Sequence, residues 1–445
     1  MRAAFWWSAL FIAYVYVGYP VLLAVWARLH RRLRRPGDPG WRERESGARA
    51  RRNVSAPARA PRVSILVAAR NEARRLPARV QNLLTLNYPA DRREVIVVSD
   101  GSTDHTEAAL APFGDAIRLV TIRPSGKALA LNAGVAQATG DILVFADARQ
   151  SFAADALRAL VAPFADPGVG GVSGELVLGS EPDGGRRSRR NRRSGHPAGR
   201  RRPGSRGTAG DFERRDHQRR VSERRADGRS AVGDGVGFYW RYEKRLRRLE
   251  SEVGSMLGAT GAIYALRRGL WRPLPPGTIL DDVLAPMRAV LAGSRVVFEP
   301  AAQAFDRTAP DARSESRRKI RTLAGNVQIL WFEPRLLLPV ANPVWLQYTS
   351  HKVFRLLVPY ALMALFASSI TLAETGPLYA AALFGQCAFY LQGGYGAWLE
   401  HWQQVGPPSP SLVQRAGKVA FTIAVMNVSA VAGVGAAIFG RKVWR

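Results

Sequence analysis

An apolar run at the N-terminus constrains this chain more than any other feature of its sequence. Residues 3–27 carry no charged side chain, and about 20 apolar residues are enough to cross a bilayer. A cleaved signal peptide has a shorter apolar region and a small-residue cleavage site. Here the run ends beside Trp26 and is followed by five arginines within residues 28–35. A basic flank of this kind stays in the cytoplasm, so the sequence predicts a signal anchor (residues 1–27) followed by a cytoplasmic, basic linker (28–60).

Three more apolar segments lie near the C-terminus, at residues 353–372, 378–399 and 419–439. Four spans in total would put the C-terminus outside, whereas the basic tail (Arg441, Lys442, Arg445) favours inside. Either one segment does not cross completely, or residues 336–348, broken by Pro339 and Pro343, also enter the membrane. The sequence thus predicts a multi-pass protein of the inner or plasma membrane, with residues 336–445 as its C-terminal membrane region.

The charge balance raises the question of nucleic-acid binding, because 65 Lys+Arg against 35 Asp+Glu give a net charge of +30. Much of the excess lies in residues 186–229, which contain no lysine, one aromatic residue and almost no aliphatic residues. Such a segment cannot bury enough surface to fold, so residues 181–232 are predicted to be disordered. A solvated insertion, a stretch read out of frame and a polyanion-binding arm all fit this composition. The segment lacks the aromatic residues on which bases stack, so no nucleic-acid partner is expected.

Strand and helix patterns alternate between the two apolar ends. Runs typical of buried strands occur at residues 63–68, 94–98, 117–122, 141–145 and 169–178. Helical patterns occupy residues 77–86, 128–138 and 155–164, and another begins near residue 106. Strands that alternate with helices of this length predict an α/β fold with a mostly parallel sheet and helices on both faces. The run at 169–178 is predicted to be the last strand.

Polar side chains follow three of these predicted strands. Arg70, Asn71 and Glu72 come after the first strand, Asp100 after the second and Asp147 after the fourth. Polar residues also favour turns for purely local reasons. However, the carboxyl ends of strands in such a sheet share one ligand-binding crevice. We therefore expect a binding site at this edge.

These residues belong to a series of short motifs that resembles family-2 glycosyltransferases of the GT-A fold. The motifs are VSILVAARNE (63–72), VVSDGSTD (97–104), GKALALN (126–132), GDILVFADARQ (140–150), ATGAIYALRR (259–268), ILDDV (279–283) and RRKIRTLAGN (317–326). The resemblance, which extends to cellulose, hyaluronan and poly-N-acetylglucosamine synthases, implies a Rossmann-like nucleotide-sugar-binding domain. Residues 61–180 would form its nucleotide-sugar half and residues 233–335 its acceptor half. It implies an inverting enzyme that transfers sugar from a UDP-sugar to a polysaccharide or lipid-linked acceptor. The alternatives are a catalytically inactive member of the family and a membrane-tethered basic protein that binds nucleic acid or anionic lipid through the Arg-rich segment.

The resemblance also implies a divalent metal held by Asp147. Charge builds on the nucleotide diphosphate as the sugar bond breaks, and Mg²⁺ or Mn²⁺ with oxygen ligands would neutralise it. The family motif is Asp-x-Asp, whereas this chain reads Asp147-Ala148-Arg149. Arg149 cannot bind a metal and could contact phosphate or acceptor instead. A turn residue at the strand end is the other interpretation of Asp147.

The remaining donor residues are also carried over from the resemblance. It places Asp100 at the nucleotide base, with the loop after the first strand alongside. Lys127 would approach the diphosphate or the uracil. Arg321 keeps the cation of a Gln-x-x-Arg-Trp motif whose Gln and Trp are absent here, which weakens a polymerase assignment. The expected donor-binding residues are Ala69, Arg70, Glu72, Asp100, Lys127 and Arg321.

Two adjacent carboxylates, Asp281 and Asp282, precede an apolar helical run at residues 283–291. An acceptor hydroxyl needs a general base, and the resemblance assigns that role to Asp282 with Asp281 as its neighbour. The alternative is that one of them caps the helix, as aspartate does well. Asp104 is expected to cap the helix that begins near residue 106.

Overall fold

An eight-stranded mixed sheet forms the centre of the fold, in the order β3-β2-β1-β4-β7-β6-β8-β5. The computed structural model describes residues 1–33, 60–178, 233–306, 312–402 and 411–438. The strands are β1 Val63–Ala69, β2 Arg93–Asp100, β3 Arg118–Ile122, β4 Ile142–Ala146, β5 Ser151–Phe152, β6 Val169–Leu178, β7 Ile263–Arg267 and β8 Arg295–Asp306. Most of the predicted linker and the Arg-rich stretch 181–232 lie outside the described residues.

The α-helices follow the same alternation and continue into the apolar ends. They are α1 Arg2–Ala13, α2 Tyr19–Leu33, α3 Leu76–Leu84, α4 Thr106–Leu110, α5 Lys127–Ala136, α6 Ala156–Val161, α7 Gly233–Val253, α8 Asp281–Leu291, α9 Ala312–Phe332, α10 Trp345–Tyr348, α11 Phe354–Leu372, α12 Pro377–Trp402 and α13 Leu412–Ile438. Single π-helical turns at Tyr14–Gly18 and Thr349–Val353 join α1 to α2 and α10 to α11.

The predicted α/β architecture is confirmed, but the prediction that the last strand is Val169–Leu178 is wrong. Strands β1 to β4 pair in parallel, whereas β7 inserts antiparallel between β4 and β6. β8 then returns parallel to β6, with two register shifts. The pattern missed β8 because Pro300 and three alanines interrupt it and because its pairing is irregular. The result is a mostly parallel mixed sheet.

The sheet buries an apolar layer on each face, as the alternation of side chains along a strand requires. In β1, Leu66 points into one layer with α5 and α8, while Ile65 and Val67 point into the other with α3 and α6. All three side chains are fully buried. The β-branched and leucine-rich runs therefore form central strands with both faces covered, and the polar residues are left to the strand ends.

Three helices in the described part of the chain are long and apolar enough to cross a membrane, namely Arg2–Leu33, Trp345–Thr375 and Leu412–Ala437. Helix α12 covers the remaining predicted segment, 378–399, and is not among those three. The first two helices meet where Tyr14 Oη and Ser350 Oγ lie 2.8 Å apart.

Helix α7 joins the sheet domain to these apolar helices. The Tyr19 hydroxyl donates to Glu250 at 3.0 Å, and His351 Nδ1 lies 2.6 Å from the same carboxylate. On its other side, the Phe298 backbone N–H of β8 donates to Ser251 Oγ at 3.0 Å. The helix therefore contacts both the sheet and the candidate spans.

Candidate active site

The loop after β2 is connected to the start of α5 through Asp100. Its buried carboxylate accepts hydrogen bonds from the backbone N–H groups of Ser125 (2.6 Å) and Gly126 (2.9 Å). Gly126 has φ = +90°, a conformation that L side chains rarely adopt. The next residue is Lys127, the first residue of α5. Asp100 therefore fixes where the Lys127 side chain leaves the backbone.

The loops after β1 and β2 are also bonded to each other. Asn71, with φ = 57°, accepts from the Thr103 N–H at 2.8 Å, and the Ala73 N–H donates to Asp104 at 3.0 Å. Asp104 also accepts from the Thr106 N–H at 3.2 Å, at the start of α4. The cap position of α4 is occupied by His105, so the prediction that Asp104 caps this helix is wrong by one residue. The Asp104 carboxylate instead bonds the first helical N–H and joins the two loops. The two loops are thus held together at the carboxyl edge of the sheet.

Lys127 brings together two carboxylates that are far apart in the sequence. Its Nζ lies 3.1 Å from Asp147 Oδ1 and 3.1 Å from Asp281 Oδ1. The Asp147 side chain is 33% exposed, whereas that of Asp281 is 6% exposed. Asp147 is therefore partly open to solvent, whereas Asp281 is buried.

The Asp281 carboxylate also accepts a hydrogen bond from the interior of the domain. The buried hydroxyl of Tyr264, on β7, donates to Asp281 Oδ2 at 3.1 Å. The Tyr264 ring stacks on Phe145 with ring centroids 4.5 Å apart. The residue at the cap position of α8 is Leu280, with no side-chain cap. The Asp281 carboxylate is thus directed to Tyr264 and Lys127.

Asp282 is partly buried beside the loop that precedes β7. A Cβ on Gly261 would lie 2.8 Å from Asp282 Oδ2, so glycine permits this close approach. Arg247 of α7 donates to Thr260 Oγ1 in the same loop at 3.2 Å. The positive charge of Arg247 acts on the Asp282 carboxylate. Asp282 is thus set between this loop and the Lys127 cluster.

The electrostatics of the cluster favour a charged lysine and a basic Asp282. Burial lowers the pKa of Lys127, but Asp281, Asp147 and Asp282 more than offset this, and the net shift is upward. Burial and the neighbouring Asp281 charge raise the pKa of Asp282 to about 6, with Lys127 opposing the shift. A carboxylate with this pKa is a better proton acceptor near neutral pH than an ordinary aspartate.

Arg79, on α3, is a residue of this region that the sequence interpretation missed. It is 3% exposed, and its Nε donates to the backbone carbonyl of Asp147 at 3.1 Å. Its Nη1 donates to Asn82 at 2.7 Å, and its guanidinium lies 4.0 Å from the Phe152 ring centroid. Burial lowers its pKa, and the Asp147 charge opposes that shift. The sequence signal that could have identified Arg79 is its position on the buried face of α3, among Leu76, Val80 and Leu83.

We expect Arg79→Met to weaken nucleotide-dependent Mn²⁺ binding about tenfold, a loss of about 1.4 kcal/mol. The backbone carbonyl of Asp147 would lose its buried donor, so the carboxylate would be held less firmly. Electron paramagnetic resonance of free Mn²⁺ in the presence of UDP measures the affinity. Arg79→Lys should restore part of it. The matched control is Arg93→Met, because Arg93 donates to Leu84 and Leu86 at the end of the same helix. Equal weakening in both variants would mean that Arg79 only supports the fold.

The side chains around Asp147 fit a divalent metal that is completed by a bound diphosphate. Among the described residues, no three His, Cys, Asp or Glu side chains gather as a metal site. Mg²⁺ is commonly held by one or two carboxylates together with substrate phosphates. Asp147 supplies one such carboxylate, and Asp281 shares its Lys127 contact. Arg149 instead lies 3.7 Å from the Asp306 carboxylate.

The other residues expected to bind the donor lie outside the cluster of Lys127, Asp147 and Asp281. Ala69 ends β1 and is buried, and Arg70 is exposed next to it. Glu72 pairs with Arg75 at 3.0 Å, and its backbone N–H donates to Thr106 Oγ1. Arg321 is exposed on α9. Within the described part of the chain, Arg321 makes no hydrogen bond or ion pair with Lys127 or Asp147.

Comparison with known proteins agrees with this architecture. Residues 64–225 match the sequence profile of glycosyl transferase family 2, and this match extends into the Arg-rich stretch. The chain contains a family-2 glycosyltransferase domain. A mannosyltransferase from Pyrobaculum calidifontis, solved in complex with GDP-Man and Mn²⁺, superposes with a TM-score of 0.61 at 22% identity. The superposition covers 98% of this chain and 99% of that one. At this identity the likeness is one of fold, and the fold is GT-A.

Curated relatives match within the domain. The chain is 38% identical over 127 residues to a beta-monoglucosyldiacylglycerol synthase of Synechocystis, covering 27% of this chain and 26% of that protein. It is 32% identical over 116 residues to a poly-beta-1,6-N-acetyl-D-glucosamine synthase of Staphylococcus aureus, covering 25% and 28%. The match thus spans about a quarter of these relatives' length.

Proposed function

We propose that this protein is an inverting glycosyltransferase that moves a sugar from a nucleotide-diphosphate sugar to a hydroxyl group of a membrane acceptor. The observation that carries the proposal is the cluster of Lys127, Asp147, Asp281 and Asp282 at the carboxyl edge of the sheet. It combines a cation, a partly exposed carboxylate and a carboxylate whose pKa is raised to about 6. These are the groups that diphosphate departure and hydroxyl deprotonation require.

In the proposed reaction Asp282 accepts the proton of the acceptor hydroxyl. The hydroxyl oxygen then attacks the anomeric carbon from the face opposite the nucleotide, and the bond from that carbon to the diphosphate breaks. Lys127 stabilises the charge on the departing diphosphate. Asp147 would hold Mg²⁺ or Mn²⁺, which supplies further neutralisation of that charge when bound. Asp281 keeps Lys127 in place and sustains the raised pKa of Asp282.

One feature favours a membrane lipid over a growing polysaccharide as acceptor: the Gln and the Trp of the Gln-x-x-Arg-Trp motif are absent around Arg321. The curated relatives are named for both kinds of product, a glucosyldiacylglycerol and a poly-N-acetylglucosamine. The three apolar helices fit either acceptor. The arginines after the first helix support the proposal that the catalytic domain lies on the cytoplasmic face. The donor is proposed to be a UDP-sugar, as the resemblance to family-2 synthases implies.

We expect membranes containing the full-length chain to release nucleotide diphosphate from one donor of a panel of UDP- and GDP-sugars when Mg²⁺ or Mn²⁺ is present. The same donor, radiolabelled in its sugar, should label material that partitions into organic solvent. Label in an aqueous polymer would replace the lipid acceptor by a polysaccharide. An absence of release from every donor, with protein shown to be inserted and folded, would contradict the proposed activity.

A further inference from the structure

Residues 333–344, here called the proline loop, connect α9 to α10 and contain Pro334, Pro339 and Pro343. Two of the loop's side chains, Leu336 and Val344, are buried in the same apolar layer as α8. Glu333 binds Arg288, near the end of α8, at 3.2 Å. The loop is thus attached to the helix that begins with Asp281 and Asp282.

Internal hydrogen bonds give this loop a defined shape. Asn342, 1% exposed, donates to the Leu336 carbonyl at 2.8 Å and accepts from the Val344 N–H at 3.1 Å. Trp345 Nε1 donates to the Leu337 carbonyl at 2.9 Å. The backbone polar groups named here are therefore satisfied within the segment, which is a condition for placing it against lipid.

The same loop turns apolar side chains outward. Val340 is 95% exposed and Leu338 is 50% exposed. Leu337, Trp331 of α9 and Leu346 of α10 are exposed nearby in the sequence. Single exposed apolar residues are ordinary on a protein surface. Five of them around one ordered loop leave an apolar surface that water does not favour.

The position of the loop decides what covers this surface. The candidate span Trp345–Thr375 begins directly after the loop. Val340 is five residues before Trp345, so at most about 17 Å of extended chain separate them. Tryptophan is typical of the interface between lipid headgroups and hydrocarbon, and Trp331 and Trp345 flank the loop. The basic side chain of Arg335, 60% exposed, suits the headgroup level.

We propose that the proline loop inserts its exposed apolar side chains into the membrane leaflet on the side of the catalytic domain. Leu337, Leu338 and Val340 enter the boundary between headgroups and acyl chains, as an interfacial amphipathic element does. The loop thereby holds α8, with Asp281 and Asp282 at its start, at a fixed height above the bilayer. This proposal depends on the candidate span and not on the sugar transfer reaction.

The test labels the loop with an environment-sensitive fluorophore. Cys387 is the only cysteine of the chain, so Cys387→Ala provides the background. Val340→Cys and Leu338→Cys, each in the full-length chain, are coupled to a nitrobenzoxadiazole probe and reconstituted in phosphatidylcholine–phosphatidylglycerol vesicles. The control is Asp91→Cys, because the Asp91 side chain is 77% exposed next to β2 and far along the chain from the loop.

We expect blue-shifted emission from the probe at positions 338 and 340. The intensity of this emission should fall by about half when brominated phosphatidylcholine replaces the ordinary lipid. The probe at position 91 should show neither change. Emission at the loop that matches position 91 would overturn the proposal. Blue-shifted emission without quenching by brominated lipid would also overturn it, because protein, such as a second copy of the chain, would then cover the loop.

Discussion

Asp282→Asn should lower the rate of sugar transfer by about 10²- to 10⁴-fold, the usual contribution of a general base. The amide has nearly the same shape but cannot accept the proton of the acceptor hydroxyl. Donor affinity should change by less than about twofold, because Lys127 and Asp147 are retained. Steady-state kinetics with the donor found in the panel separate the two effects, since a lost base lowers kcat and leaves the donor KM in place.

The pH dependence of the wild-type rate is a second test of the role of Asp282. Because only ionised Asp282 can accept a proton and its pKa is raised to about 6, the rate should fall tenfold per unit as pH drops below about 6. Asp281→Asn removes one of the charges that raise this pKa, so it should move the acid limb of the profile to lower pH. An unshifted limb would mean that another group titrates.

Folding controls are needed for the Asp282 variant. Burial and the Asp281 charge disfavour the ionised form of Asp282 in the folded protein, so above pH 6 the Asn variant should unfold at a temperature no lower than wild type. Asp91→Asn, an exposed substitution, is the matched variant with unchanged rate. Near-wild-type transfer by Asp282→Asn would remove Asp282 from the reaction and require another base.

Five of the six strands before the Arg-rich stretch were predictable because each is a short apolar run bounded by turn residues, whereas the two-residue strand β5 was missed. Val63–Ala69 differs from its predicted bounds by one residue at one end, and Ile142–Ala146 by one residue at each end. β8 was missed because its pairing partner β6 lies more than a hundred residues earlier in the chain, and its own sequence alternates weakly. A strand whose stability comes from a distant partner leaves little local pattern.

The site shows the same division between local and distant information. Asp147 and Asp100 could be selected as candidates because strand ends are visible in the sequence. Arg79 was missed because its partner is a backbone carbonyl 68 residues away, which no spacing rule indicates. The contact of Lys127 with both Asp147 and Asp281 also depends on the assembled sheet. Sequence patterns locate the loops of the crevice, and packing decides which side chains meet there.

Asp147→Asn should abolish most metal-dependent transfer, with a loss of about 10²- to 10³-fold, because several kcal/mol of charge stabilisation disappear. Nucleotide-dependent binding of Mn²⁺, measured by electron paramagnetic resonance without any acceptor, should fall below detection in the same variant. Mn²⁺ without nucleotide should bind weakly even to wild type, because the described residues gather no third metal-ligating side chain beside Asp147.

Asp115→Asn is the matched control, since Asp115 is an exposed aspartate between α4 and β3, and it should bind Mn²⁺ like wild type. The Asp147 result bears directly on the altered motif. If the variant keeps its metal affinity, Asp147 does not hold the ion, and the 3.1 Å contact with Lys127 is its main role. If transfer falls while wild type works equally well without metal, Lys127 supplies the positive charge alone. Only joint loss of Mn²⁺ binding and of transfer supports a metal site with a single aspartate from this motif.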